Sequence, residues 1–247
     1  MHGNLQNGMI THLGRPTAPR DAQLVQGVVS RLKLFWGAAP PQIARIVQQC
    51  WTFPARPGDF VARRDERLPG VFAIAYGFVK LALREPQHEE RVLRIVSTGQ
   101  TFGESTALLG RTARYDALAL SESKLIVIPS ASILALIDRE PPFARNLAKI
   151  LAERNLELLE ELEAATMKCG AQRLASYLHS LAQPAAPTSG SCTVHLPVSK
   201  TVVAARLGLK KETLSRLFRQ FSADGLIAVS RRDIEILDTK RLTELAG

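Results

Sequence analysis

Glu212, Ser215 and Arg216 fall within about one helical turn in the stretch LPVSKTVVAARLGLKKETLSRLFRQFSADGLI, residues 196–227. Residues 199–219 hold six basic side chains (Lys200, Arg206, Lys210, Lys211, Arg216 and Arg219) and a single acid, Glu212. On a surface built to bind phosphates a lone carboxylate is repelled. It is useful there if it accepts a hydrogen bond from a cytosine amino group in the major groove. Arg216 has the fork geometry for guanine O6 and N7, and Ser215 can meet a base edge or a thymine methyl. The plainer alternative is an i, i+4 salt bridge between Glu212 and Arg216, worth about 0.3–0.5 kcal/mol. The two are compatible, since a Glu–Arg pair can orient the arginine before it meets a base.

Such residues need a rigid support, and the same stretch supplies its syntax. Ser199 is placed to cap a first helix whose buried stripe is Val202, Val203 and Leu207. Gly208-Leu209 supplies a tight turn. In the second helix Leu214, Leu217, Phe218 and Phe221 recur at spacings of three, four and three. Lys211, Glu212, Ser215, Arg216 and Arg219 then face outward. The pattern is that of a helix-turn-helix.

Composition agrees with a polyanionic partner: 32 Lys and Arg against 23 Asp and Glu give a formal net charge of +9 over 247 residues. Hydrophobic residues make up 46% of the chain, enough for a real core. Cys50, Cys169 and Cys192 are far apart and form no CxxC pair, which argues against a disulfide framework or a zinc site. The first twenty residues carry no apolar run resembling a signal peptide, and no run reaches the roughly 18 apolar residues a membrane span needs. The expectation is a cytoplasmic protein with no membrane partner. No GxSxG, P-loop or HExxH motif occurs, so no enzyme is expected.

Three zones follow one another. Helical spacing runs from about Asp21 to Cys50, with Pro40-Pro41 a helix start. Residues 51–129 turn to short β-rich runs (DFVARR, GVFAIAYGFVKLAL, RVLRIVS, YDALALSESKLIVIP) punctuated by glycines, which predicts an antiparallel barrel or roll. ASILALIDRE predicts a short helix, and Pro141-Pro142 restarts the chain. FARNLAKILAERNLELLEELEAATMK then runs without Gly or Pro, with Leu147, Leu151, Leu158, Leu162 and Ala165 on one stripe. Such a helix is covered either by its own domain or by a second subunit in a coiled coil, and the breadth of its apolar surface favours a homodimer. GAQRLASYLHSLAQ predicts a further helix, PAAPTSGS a loop, and LIAVSRRDIEILD a strand pair turning at Arg231-Arg232.

The whole resembles the CRP/FNR family of bacterial transcription regulators, from about Leu32 to the C-terminus. RPGDFVARRDERLPGVFAIAYGFVKL is similar to the opening of that family's cyclic-nucleotide-binding-type β-roll, and GQTFGESTALLGRTAR to its phosphate-cassette region. The 196–227 stretch is similar to its winged helix-turn-helix. The resemblance implies an α+β fold: a flexible segment 1–21, an effector-sensing β-roll 22–138, a dimerisation helix 139–168 and a winged helix-turn-helix domain 169–247. It implies that Glu212, Ser215 and Arg216 read TTGAT-type half-sites in double-stranded DNA. Ser199, Lys200, Thr201, Lys211 and Arg219 would contact phosphates. RNA polymerase is the further partner if the protein activates, and a small-molecule or gas effector would act through the roll. A cyclic-nucleotide-responsive signalling module is the alternative function.

By the same resemblance Gly103, Glu104 and Arg114 match the positions that hold a cyclic nucleotide. Tyr115 and Asp116, however, stand where a small hydroxyl residue and alanine are usual. Leu158 and Leu159 stand where hydroxyls would meet adenine. Cyclic nucleotide is therefore the weaker expectation, and Glu104–Arg114 reads as a structural ion pair or part of another pocket. The family's iron–sulfur cysteine pattern is absent. Haem is left possible, with His88, His179, Met167 and Cys50 as candidate ligands. The tail of the chain also resembles the nitrogen-oxide-responsive branch of denitrification regulators.

Overall fold

The computed structural model describes residues 21–84, 90–182 and 192–247. His88, residues 1–20 of the segment expected to be flexible and the PAAPTSGS stretch expected to be a loop lie outside them. Two compact units divide the chain, one holding Leu93–Arg154 and the residues before position 89, the other Glu89–Val92 and Asn155–Gly247, so that the second half of the long helix Pro141–Met167 belongs to the second unit.

In the first unit, α1 (Ala22–Val29) and α2 (Pro40–Val47) precede β1 (Trp51–Ala55), β2 (Phe60–Ala62), β3 (Gly70–Tyr76), β4 (Phe78–Leu83), β5 (Arg91–Ser97) and β6 (Thr101–Phe102). A short α3 (Glu104–Leu109) is followed by β7 (Asp116–Ala119), β8 (Ser123–Pro129), α4 (Ser130–Arg139) and the long α5 (Pro141–Met167). One sheet has the order β1-β8-β3-β6 and the other β2-β7-β4-β5. The β1–β8, β3–β8, β3–β6, β2–β7 and β4–β7 pairs are antiparallel, as the glycine-punctuated runs predict.

Strand alternation explains why β3 and β8 are apolar almost throughout. Phe72, Ile74, Leu125 and Val127 point into the space between the sheets, beside Phe53, Leu81, Val96 and Phe102. Val71, Ala73, Ile126 and Ile128 point the other way, onto Val25, Val29, Phe35, Ile46 and the start of α5 at Phe143 and Leu147. Asn146 fastens α5 there, its amide donating to the Lys33 and Leu34 carbonyls at 2.8 and 3.2 Å. Asp21, assigned by the sequence reading to the flexible segment, is instead tied down by an ion pair with Lys124.

The second unit comprises α6 (Gly170–Ala182), β9 (Cys192–His195), α7 (Lys200–Leu207), α8 (Lys211–Ala223), β10 (Ile227–Ser230), β11 (Asp233–Ile236) and α9 (Thr239–Ala246). Its three strands form an antiparallel sheet in the order β10-β11-β9. Leu174, Leu178, Val194, Val203, Leu214, Phe218, Phe221, Ile234 and Leu242 are buried between sheet and helices. The helix α9 is absent from the sequence reading, although Asp238 caps it by accepting from the Arg241 N–H at 2.9 Å.

Candidate nucleic-acid interface and roll interior

Local chemistry builds the α7–α8 pair. The Ser199 hydroxyl oxygen accepts from the Val202 N–H at 3.4 Å and caps α7. Gly208 ends α7 at φ +62°, the left-handed region that side chains avoid, and Leu209 N–H returns to the Ala204 carbonyl at 2.9 Å. The turn redirects the chain into α8, whose Leu214, Phe218 and Phe221 are buried and Leu217 half-buried. Lys211, Glu212, Arg216 and Arg219 are exposed, and Ser215 is half-buried like Leu217, so the inward and outward sets are those the spacing predicts except at these two boundary positions.

The plainer reading of Glu212 and Arg216 does not hold in this structure. They form no ion pair with each other, and neither side chain has a hydrogen-bond or ion-pair partner among the described residues. Glu212 also sits in the first turn of α8, where a carboxylate is favoured by the helix dipole by about 0.3–1 kcal/mol. Arg219 is partly engaged, its Nε donating to the Ser215 carbonyl at 3.5 Å.

Four basic residues are placed more specifically than sequence allows. Lys200 lies with its ammonium 5.0 Å from the centre of the Phe218 ring, so its stem packs across the two helices. Thr201, next to it, is exposed. Arg206, counted in the sequence as part of the basic surface, is withdrawn from it: its guanidinium donates to Glu161 on α5 at 2.7 Å. At the tip of the β10–β11 turn Arg231 and Arg232 are both exposed, Arg231 with φ +55°. These two extend the basic edge of the unit beyond the residues that motif spacing singled out.

The roll presents the opposite situation. Gly103 adopts φ +91° at the start of α3, and a Cβ there would lie 3.3 Å from the Gly70 carbonyl oxygen. Ala113 is buried, Arg114 exposed, and Tyr115 turns inward against the cluster of Phe72, Phe102 and their neighbours. Hydrogen bonds from the Thr106 side chain and the Gly103 backbone reach the Tyr115 phenol. Burial first, then the Glu104 carboxylate, push that phenol well above the usual tyrosine range, with Arg94 and the two hydrogen bonds opposing.

This arrangement corrects the expected Glu104–Arg114 ion pair: none forms, because Arg114 turns to solvent while Glu104 lies beside Tyr115. It also does not fit a cyclic nucleotide. The phenol already uses the Gly103 backbone and Thr106, and it packs against Phe72, Phe102 and their buried neighbours between the sheets. Leu158 and Leu159 are exposed on α5 and offer adenine no hydrogen bond.

The haem candidates do not assemble either. Cys50 is buried, donates its thiol to the Ile46 carbonyl at 3.2 Å, and burial pushes it up to about 12. Met167 is 80% exposed at the end of α5, and His179 Nδ1 lies 3.3 Å from the Thr243 hydroxyl. The three sit on separate elements, and no cluster of metal-ligating side chains occurs among the described residues.

Comparison with known proteins agrees with both units. Residues 53–140 match the family model for the cyclic nucleotide-binding domain, and residues 172–245 that for the Crp-like helix-turn-helix domain. The chain is similar to the transcriptional activator protein anr of Pseudomonas aeruginosa, 26% identical over 78% of this chain and 80% of that one. It is also similar to the cyclic AMP receptor protein of Thermus thermophilus, 26% identical over 86% of this chain and 96% of that one. In fold it resembles FixK2 from Bradyrhizobium japonicum, with a TM-score of 0.71, 21% identity, and coverage of 80% of this chain and 98% of that one. No helix among the described residues is long and apolar enough to cross a membrane.

Proposed function

The chain belongs to the CRP/FNR family of transcription regulators, a DNA-binding unit joined to an effector-binding roll, and from that premise we infer the following particulars. It binds a palindrome of TTGAT-type half-sites as a homodimer in the cytoplasm, through Glu212, Ser215 and Arg216. The observation that carries this is the unpaired state of Glu212 and Arg216 on the exposed face of α8. A buried or bridged pair would be structural; an open pair four residues apart suits two neighbouring bases. Ser199, Lys200, Thr201, Lys211 and Arg219 contact phosphates around it, and a hydroxyl that accepts from a helix N–H still has its own proton to donate to a phosphate.

The working limits are the roll at 22–138, the dimer helix at 139–168 and the winged unit at 169–247. The dimer reading rests on α5, where Leu156, Leu158, Leu159 and Leu162 are between 48% and 60% exposed. Four leucines bared on one helix mark an interaction face, and two-fold symmetry matches a palindrome with half-sites about one helical turn apart. RNA polymerase is the further partner when the bound protein activates. The signalling-module reading leaves the open Glu212–Arg216 face without a use.

Fluorescence anisotropy with a TTGAT palindrome and a version with the paired guanine replaced tests this function. Binding of the palindrome with at least tenfold preference supports the reading. Equal binding of both duplexes refutes it.

A further inference from the structure

The hairpin that follows α8 ends in a two-residue loop, Arg231 and Arg232, between Ser230 and Asp233, which face each other across the β10–β11 pair. We propose that these two arginines enter the DNA minor groove beside each half-site and select A·T-rich sequence there. The proposal rests on the reading of α8 as the base-reading helix and adds a second element that chooses the site.

The backbone of the loop singles out Arg231. Its φ is +55°, the left-handed region that side chains avoid, and among the described residues Asp65 is the one other non-glycine with a positive φ. An aspartate is tolerated there because its short side chain can bond the local backbone; an arginine has no such compensation. Glycine would make the turn without strain, so Arg231 is a cost to the hairpin, of the kind that marks a functional position. The rest of the tip is fixed. The Leu196 N–H donates to the Arg232 carbonyl at 2.8 Å, and His195 Nδ1 lies 2.6 Å from Asp233 Oδ1 across the β9–β11 register. Arg231 and Arg232 themselves are exposed, and neither side chain has a hydrogen-bond or ion-pair partner among the described residues.

Charge and reach set the partner. Two adjacent guanidinium groups without a counter-ion suit a polyanion. The acid adjoining the loop, Asp233, is engaged by His195, and exposed Glu235 stands two residues, roughly 7 Å, further along β11. At the root of the hairpin Leu226 is buried, and its N–H donates to the Phe221 carbonyl of α8 at 2.9 Å. Arg231 follows after about 16 Å of extended chain. That is close to the half-turn, about 17 Å, between a major groove and the minor groove next to it. Paired strands about 4.8 Å apart, with their side chains, are too broad for a groove about 6 Å wide, whereas single arginine side chains pass. A narrow groove of A·T pairs concentrates negative potential and draws arginine in. A G·C pair puts its 2-amino group on the groove floor, where a guanidinium donor meets another donor.

Fluorescence anisotropy on the full chain tests the proposal. The TTGAT palindromes carry outer flanks and central spacers that are separately A·T-rich, G·C-rich or inosine·cytosine. Inosine lacks the 2-amino group, so it keeps the guanine major-groove acceptors while presenting an A·T-like minor groove. Wild-type protein should bind the A·T-rich and inosine duplexes about fivefold or more tighter than the G·C-rich one, in flank or spacer. Arg231→Gly, which relieves the turn, should keep the melting temperature yet cut the preference to about twofold or less. Arg231→Gln with Arg232→Gln should abolish it. Four results overturn the proposal. Inosine duplexes that bind like G·C-rich ones exclude minor-groove reading. A preference that survives in the double variant belongs to the DNA's own deformability. A uniform loss across all duplexes makes the arginines phosphate contacts. Wild-type affinity and preference in the double variant leave them to an acidic protein partner. The two readings also fail separately. A chain that prefers A·T-rich segments whatever the half-site refutes base reading by α8 and leaves the hairpin standing. One that binds the palindrome regardless of its neighbouring sequence refutes the hairpin alone.

Discussion

On α8, Glu212 and Arg216 stand four residues apart, oppositely charged, exposed and unpaired. In the roll, Tyr115 has turned inward and its hydroxyl is satisfied by Thr106 and the Gly103 backbone. The two regions belong to the same chain and both match family models, yet the face of α8 keeps this pair open and the interior of the roll satisfies the Tyr115 hydroxyl itself. A polar group held in place without a protein partner is available to a ligand. One already hydrogen-bonded inside a packed interior must be displaced first, at the cost of an unsatisfied buried group. Matching a family model therefore identifies the frame, and the state of individual side chains decides whether its site survives.

The largest test falls on the filled interior. Phe72 stacks on Phe102 with ring centres 4.9 Å apart and meets Phe53 edge-on at 6.2 Å. Phe72→Ala should cost about 3–5 kcal/mol in urea-induced unfolding of the roll. Were the space between the sheets an empty effector pocket, the cost would fall well below that range and the contrast would fail. Arg216→Ala comes next on the open side, with an expected loss of about 1–3 kcal/mol in affinity for the TTGAT palindrome. The loss should vanish on duplexes altered at the paired guanine. A uniform loss across sequences would make Arg216 a phosphate contact.

How far these features were legible in the sequence depends on how local they are. The Ser199 cap, the Gly208 turn and the inward set of Leu214, Phe218 and Phe221 each depend on residues within a few positions, and spacing found them all. The roll was legible through strand alternation and its glycines. What escaped depends on distant partners. The Glu161–Arg206 ion pair joins residues 45 positions apart, and nothing near Arg206 marks it as withdrawn from the basic surface. Alternation places Arg114 and Tyr115 on opposite faces but does not say which face is interior. That choice follows from the Arg67–Thr112 bridge, 45 residues long in sequence. The helix α9 was missed although Asp238, its cap, was a local signal.

A smaller effect tests the scaffold beneath the open face. Ser199→Ala removes the α7 cap and should cost about 1 kcal/mol of stability in thermal unfolding. If Ser199 also donates to a phosphate, Ser199→Gly, which costs the cap only a few tenths of a kcal/mol but also lacks the hydroxyl, should lose as much affinity for DNA as Ser199→Ala. Equal DNA affinity in the two variants and wild type would confine Ser199 to the helix.

Lys200 offers the finest division, because it belongs to both regions of the comparison at once. Its ammonium sits 5.0 Å from the Phe218 ring, an arrangement worth about 0.5–1 kcal/mol at an exposed site. The same charge, beside exposed Thr201, is available to a phosphate. Lys200→Met keeps the stem against the ring and removes only the charge. If the ammonium serves DNA, the salt dependence of log K should flatten by about 0.9, alike for specific and non-specific duplexes, while unfolding changes by less than about 1 kcal/mol. If it serves the fold, the salt slope should stay where it was and the whole effect should appear in the unfolding curve. The two outcomes differ in which measurement moves, so Lys200 is assigned either to the open set with Arg216 or to the internally satisfied set with Tyr115.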